Sequence, residues 1–368
     1  MTNPTGAALT DYNLTWLLTL LCIPGMGPVR ARQLIQKVGP NGPALFAYVL
    51  SMGAKYPSLL TQARALAHEH LAQCSQFAVS LLPYWHPSYP SSLFALPDYP
   101  LIIYYKGSLK FLNPPGIALV GTRSPSPTGV RVTQEMARCL SQINLTVISG
   151  LAAGIDTAAH TGSLNAFGST LAVLGSGLGK PYPRQNHDLF QTLVKKGLVL
   201  SEYPPLTQPL AHQFVRRNRL IAALSKAVFV LESRLSGGAL ATAGWANRLN
   251  LPLLAFPGHP EVHTSSGPRE LIKLGAQSIN TPAQLINFVQ TQILPPQIKH
   301  SKSSPTHHFN NYFSHLDKHS TSQNKNQMDP LYPPDPSYLS RLQFAQGAQR
   351  HTQSAKTPST KPASSNTD

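Results

Sequence analysis

The residues best suited to chemistry in this sequence are cations set among glycines and hydroxyls. Arg123 follows Gly121-Thr122. Lys180 and Arg184 sit in Gly179-Lys180-Pro181-Tyr182-Pro183-Arg184-Gln185-Asn186, and Arg216, Arg217 and Arg219 fall within four residues. Around them lie Ser149-Gly150, Gly154, Gly175-Ser176-Gly177 and Ser236-Gly237-Gly238. Free backbone N–H groups in such loops, with hydroxyl and guanidinium groups beside them, suit phosphate oxygens. The run Arg216-Arg217-Asn218-Arg219 precedes a helix-like segment, where the macrodipole disfavours cations, so a bound anion makes sense of it. A solvated helix start is the plainer reading.

Acids and bases are fewer. Asp156 stands where a glycine turn becomes a helix, an ordinary capping place, and His160 follows one turn later on the same side. Capping and packing is the reading taken for this pair, with acid–base work as the alternative. Glu202 or Glu232 could hold a nearby arginine. Tyr182 or Tyr203 could stack on a base or pack half-buried. Neither GxGxxG nor GxxxxGK[ST] occurs, so no dinucleotide cofactor and no P-loop ATP hydrolysis is expected. Cys22, Cys74 and Cys139 form no CxxC pair, so neither a disulfide framework nor a metal site is expected, and a reducing cytoplasm is the natural compartment.

These loops must be carried by something regular. Ile117 to Val120, Thr146 to Ile148, Leu171 to Leu174, Ala227 to Leu231 and Leu253 to Phe256 are apolar runs of strand length, most of them opening into a small-residue loop. Uninterrupted apolar runs between helical segments predict parallel strands buried on both faces. The fold expected is α/β, a mostly parallel sheet with loops along its carboxyl edge, where open sheets bind ligands. Leu101 to Gly107 reads as a strand at the edge of that sheet, after a connector rich in proline.

Residues 1–80 read as a small helical domain, 81–294 as the sheet core and 295–368 as a disordered polar tail. In the first, Ile23-Pro24-Gly25-Met26-Gly27-Pro28 joins two helices in the manner of a helix-hairpin-helix, with Arg30 and Arg32 adding charge. A corner without DNA contact is the equal alternative. In the tail a short helix is expected near Tyr338 to Gln346. Its six histidines, His300, His307, His308, His315, His319 and His351, are spaced too irregularly to read as metal ligands. The apolar run from Leu14 to Ile23 is too short to span a bilayer, and Asp11 before it does not suit a signal peptide.

Lysine and arginine number 30 against 14 acids, a formal charge of +16. The tail holds only 8 of those cations and 4 of the acids. A folded part this basic points to a polyanion, nucleic acid or an anionic membrane surface. A generally basic surface is the alternative.

Taken in order, Gly121-Thr122-Arg123, Ser149-Gly150-Leu151-Ala152-Ala153-Gly154-Ile155-Asp156, Tyr182-Pro183-Arg184-Gln185-Asn186, Ser201-Glu202-Tyr203-Pro204-Pro205, Phe214-Val215-Arg216-Arg217-Asn218-Arg219 and Pro257-Gly258 resemble the DprA/Smf family over about residues 14 to 290. The resemblance implies a SAM-like helical N-terminal domain and an extended Rossmann core. It implies a homodimer that binds single-stranded DNA in a basic pocket and loads the recombinase RecA, without catalytic turnover. It places Arg123, Arg184, Arg217 and Arg219 at the family's basic positions. The chain departs from the family in three places. A polar tail stands where many members carry a winged-helix domain, and the loop Ser236 to Thr242 is one residue longer. Gly267-Pro268-Arg269 replaces a common asparagine, which would let Arg269 add a phosphate contact. Two other classes stay open, a nucleotide phosphoribohydrolase, whose PGGxGTxxE signature is missing here, and a nucleotide sensor signalling through the tail.

Overall fold

A computed structural model of the chain describes residues 14–38, 47–51 and 55–294. The polar tail, with its short helix and histidines, lies outside the described residues.

Nine strands form one sheet in the order β1-β2-β6-β5-β4-β3-β7-β8-β9. The central ones are β3 (Gly116–Val120), β4 (Thr146–Ser149), β5 (Thr170–Leu174), β6 (Leu198–Ser201), β7 (Ala227–Val230) and β8 (Leu253–Ala255), all parallel to one another. The short β9 (Gln277–Ser278) closes the β8 side in parallel. On the other side β1 (Ser80–Pro83) and β2 (Ile102–Gly107) run antiparallel. The strand expected at the edge is therefore one position in. Ser80–Pro83 takes the edge instead, where the missing N–H of Pro83 is tolerated.

Both faces are covered, which is why the strands read as apolar runs. Along β3, Ala118 and Val120 face one side and Ile117 and Leu119 the other. The first side packs on α8 (Ala211–Ala223) and α9 (Ala239–Arg248) through Leu220, Ile221, Leu240 and Ala243. The second packs on α5 (Pro127–Gln142) and α6 (Ile155–Asn165) through Met136, Leu140, Ile155 and Ala159. Towards β2, that second side meets α7 (His187–Lys196) through Phe190 and Leu193. The same apolar cluster takes in the N-terminal helices, α1 (residues 14–21), α2 (Pro28–Val38), α3 (residues 47–51) and α4 (Pro57–Gln76).

Gly25 makes the corner before α2 with a φ of 76°. The cations expected to add charge there have local partners. Arg30 donates to the Gly25 carbonyl at 3.1 Å, and the Arg32 guanidinium lies over the Tyr99 ring at 5.2 Å. The remaining helices are α10 (Ser266–Lys273) and α11 (Pro282–Phe288). Among the described residues no helix is long and apolar enough to cross a membrane.

Candidate functional site

Strand order reverses between β3 and β7. There, beyond the carboxyl ends of the strands, opens a cleft of about 610 Å3. The loop after β3 supplies Gly121, Thr122 and Arg123, and the loop after β7 supplies Ser233, Arg234, Ser236, Gly237 and Gly238. The wall opposite comes from α8, with Phe214, Arg217 and Asn218, and from Tyr182.

Glu232 holds the loops in register. Its carboxylate accepts from the Ser126 N–H at 2.9 Å, the Ser126 hydroxyl at 2.5 Å and the Thr264 hydroxyl at 2.7 Å. Its carbonyl accepts the Thr122 N–H at 2.7 Å. One buried side chain thus ties the Arg123 loop to the Arg234 loop and to the approach to α10. It pairs with hydroxyls and amides rather than with an arginine. Ser126 in turn caps α5 through the Gly129 N–H, and Pro127 suits the first helical position.

Arg217 forms the floor. It is 4% exposed, yet it lines the cleft. Its Nη1 donates to the carbonyls of Gly150 (2.7 Å) and Val173, and its Nε donates to Asn218 Oδ1 at 3.2 Å. Asn218 then donates to the Gly238 carbonyl at 3.1 Å, joining α8 to the start of α9. A Cβ on Gly150 would stand 2.4 Å from the guanidinium, so glycine is required for this close approach. Burial lowers the Arg217 pKa to about 10, with Asp156 opposing the shift, and the group stays charged at neutral pH. Burial raises the Asp156 pKa against the pull of Arg217 and of two loop amides.

Above the floor, the Arg123 guanidinium lies 5.3 Å from the Phe214 ring centroid, and Tyr182 meets that ring at 5.6 Å. Arg123, Tyr182 and Arg234 are exposed. Two aromatic faces and three guanidinium groups therefore share one opening, a combination that can hold a planar base beside a phosphate.

Of the expected site residues, Gly121, Arg123, Arg217, Ser236, Gly237 and Gly238 line this cleft. The rest do not, for distinct reasons. Arg219 is 1% exposed and clamped: its Nε donates to both oxygens of Asp98 (3.0 and 2.8 Å), and its Nη1 and Nη2 donate to Glu202 (2.9 and 2.7 Å). Arg216 reaches the same two carboxylates at 3.7 and 3.5 Å. These two arginines are held by carboxylates inside the protein, so the three-arginine run is not one anion site.

Several small residues serve packing instead. Ser149 donates its hydroxyl to the Leu119 carbonyl at 2.7 Å. The Gly150 N–H is taken by Asp156 at 3.0 Å and the Gly237 N–H by the Arg234 carbonyl at 2.9 Å, so neither amide is free for phosphate. Gly154, at a φ of 83°, lies against the Thr122 carbonyl, where a Cβ would come within 2.4 Å. Gly175 packs on Phe214 and the α8 backbone, and Gly177 on the Pro204 and Pro205 carbonyls. Lys180 and Arg184 are exposed on either side of Tyr182, outside the lining, and Arg269 is exposed on α10.

Asp156 and His160 make no catalytic pair. Asp156 accepts the Gly150 and Ala152 amides, while the His160 ring meets the Thr170 hydroxyl at 2.7 Å in the core. Tyr203 is half-buried and does not line the cleft. Among the described residues no group of three His, Cys, Asp or Glu could hold a metal ion. Sequence reasoning missed Arg234, Phe214 and Asn218. Arg234 was within reach, since it follows β7 as Arg123 follows β3. Phe214 carries no such mark.

Comparison with known proteins agrees with this fold. A family model described as DNA recombination-mediator protein A matches residues 80–290. Protein Smf of Synechocystis sp. is 42% identical over 204 residues, 54% of this chain and 51% of that protein, so the match spans about half of that relative. DNA processing protein DprA of Streptococcus pneumoniae is 39% identical over 193 residues, 52% of this chain and 68% of that protein. The X-ray structure of that streptococcal protein superposes with a TM-score of 0.62 at 31% identity, covering 76% of this chain and 96% of the other. A structure of DNA processing protein A from Helicobacter pylori, solved to describe its single-stranded DNA binding mode, has a TM-score of 0.54 at 32% identity, with 58% and 97% covered. With more than half its length matched by that model, the chain belongs to the DNA recombination-mediator protein A family.

Proposed function

We propose that this protein binds single-stranded DNA in the cleft between β3 and β7, without regard to sequence. The observation that carries the reading is the grouping of Arg123, Phe214 and Tyr182 with Arg217 in the lining of one cleft. Charge-assisted hydrogen bonds from Arg123, Arg217 and Arg234 take phosphates, and the aromatic faces accept any base. Lys180 and Arg184, flanking Tyr182, extend the cationic rim outward, and Arg269 adds charge on α10. The Helicobacter pylori relative, described for its single-stranded DNA binding mode, supports the assignment. We read residues 81–294 as the binding core and residues 1–80 as a helical module attached to it. The task assigned is protection of the strand and its handover to RecA by a homodimer, with no catalytic turnover. The nucleotide phosphoribohydrolase alternative is not favoured, because Glu232, the acid it would use, is committed to Ser126 and Thr264.

A salt titration of single-stranded DNA affinity tests the core of this. The log–log slope should be about −0.7 for each phosphate neutralised. Arg123→Ala and Arg234→Ala should each make the slope shallower by roughly one such unit and lower affinity about tenfold. A slope near zero in the unaltered protein sinks the reading. RecA filament formation on strands precoated by a single-strand binding protein, with and without this chain, tests the handover. Light scattering in solution tests the dimer.

A further inference from the structure

The floor and the rim of the cleft are built differently, and the difference bears on which phosphate reaches the floor. Arg217 is recessed at 4% exposure. Its Nε and Nη1 are engaged by Asn218, Gly150 and Val173, while its Nη2 finds no acceptor among the described residues. Beside it α9, ten residues long, begins at Ala239, and the N–H groups of Gly238 and Ala239 have no backbone acceptor there either. Open space lies in front of Gly238, where an added Cβ would meet nothing within 4 Å. A buried guanidinium and a helix N-terminus thus line one cleft.

The charge is also specific. The cleft lining carries Arg123, Arg217 and Arg234 against Asp156 alone, leaving two positive charges. A phosphodiester inside a strand brings one negative charge, whereas a phosphomonoester brings close to two near neutral pH. Shape points the same way. For an internal diester to reach a recessed floor, the nucleosides on both sides must descend with it. A terminal phosphate needs only one to descend, and Tyr182 and Phe214 offer that one base a surface.

We propose that the recess between Arg217 and the α9 N-terminus seats a phosphomonoester, the phosphate at the end of a DNA strand or that of a free nucleotide. The inference deepens the single-strand reading and rests on the same cleft. The test uses the full chain and oligothymidylates of one length carrying a 5′-phosphate, a 3′-phosphate or hydroxyls at both ends. Unlabelled dTMP and thymidine serve as competitors, with anisotropy as the readout. A strand phosphorylated at one end should bind about tenfold more tightly than the hydroxyl strand, as expected for an added charge-assisted contact. Competition by dTMP but not thymidine, without any end preference, assigns the recess to a free nucleotide.

Equal affinity for all three strands, together with no competition by dTMP, overturns the proposal. If those strands still bind with a steep salt slope, the single-strand reading survives that failure. If no strand binds at low salt, the single-strand reading falls, and the dTMP arm alone then decides the recess. Arg217→Lys should remove the preference. Because Arg217 is buried and its loss could unfold the chain, the comparison of ends in the unaltered protein stands as the deciding measurement.

Discussion

Arg217 and Arg219 are two residues apart on α8 and live in opposite surroundings. Two residues advance a helix by about 200°, so their side chains leave on opposite sides. Arg219 meets Asp98 and Glu202 and donates to both, four of its hydrogen bonds ending on carboxylate oxygens. Arg217 meets two carbonyls and an amide oxygen, with Asp156 as the carboxylate that acts on its charge, and lines the cleft. Both are buried, and both belong to one basic run. A buried arginine is committed to structure when carboxylates saturate it. It remains able to meet a ligand when neutral oxygens orient it and no carboxylate takes its hydrogen bonds.

The sharpest break of this comparison is Arg219→Ala. It strands two buried carboxylates, and losing one partner of such a cluster costs about 3–5 kcal/mol. Denaturant unfolding should show that loss, while single-strand affinity per folded molecule and its salt slope stay as they were. Lost affinity with unchanged stability would reverse the roles assigned to the two arginines.

Acid separates the two regions next. Beside Arg217, burial and the nearby guanidinium lower the His160 pKa to about 3 from 6.5. Between those values the unfolded chain takes up a proton that the folded chain refuses, so stability falls as pH drops from 6.5 towards 3. Beside Arg219, burial pushes the Glu202 pKa up, but Arg219 and Arg216 more than offset it, and the net shift is downward from 4.5. That contribution is whole above pH 4.5 and is lost as pH falls through the depressed value. His160→Gln should flatten the upper part of the acid limb by up to a few kcal/mol, and Glu202→Gln the lower part. Identical acid limbs in the two variants would mean that the regions titrate as one.

Much of this arrangement was legible in the sequence. The strands from β3 to β5 and β7 to β8 are covered on both faces, so their apolar runs stand out, and their ends mark where Gly121, Arg123 and Ser236 to Gly238 meet. The partition of the arginines was hidden, because Asp98 lies 121 residues before Arg219 in a proline-rich connector. Local spacing carries no trace of that contact. The glycines misled for a related reason. Absence of a Cβ serves a free amide and a close approach equally well, and at Gly150, Gly154, Gly175 and Gly177 close approach is what the fold uses. Glu202 was more tractable, since a carboxylate so near a basic run in sequence has few other partners.

Gly150→Ala sharpens the comparison from the cleft side. The new methyl group would meet the Arg217 guanidinium, which is held by its neighbours and has little room to yield. Overpacking of this kind costs about 1–3 kcal/mol. Unlike Arg219→Ala, it should lower single-strand affinity even after correction for the fraction folded. Unchanged affinity in folded Gly150→Ala would remove Arg217 from the binding surface.

The smallest effects belong to the outer cations. Lys180 and Arg184 are exposed beside Tyr182, so replacing either with alanine should leave stability within about 0.5 kcal/mol. Each touches a phosphate only if the strand continues past Tyr182 out of the cleft. In that case Arg184→Ala should make the salt slope shallower by about 0.7 on a long oligonucleotide and leave it unchanged on one too short to pass the tyrosine. The dependence on length is the informative part. A cation that merely adds to the general field weakens both oligonucleotides alike, whereas one that grips the strand beyond the cleft is felt only when strand is there to grip. Equal slope changes at both lengths would confine specific contact to the floor and its aromatic wall.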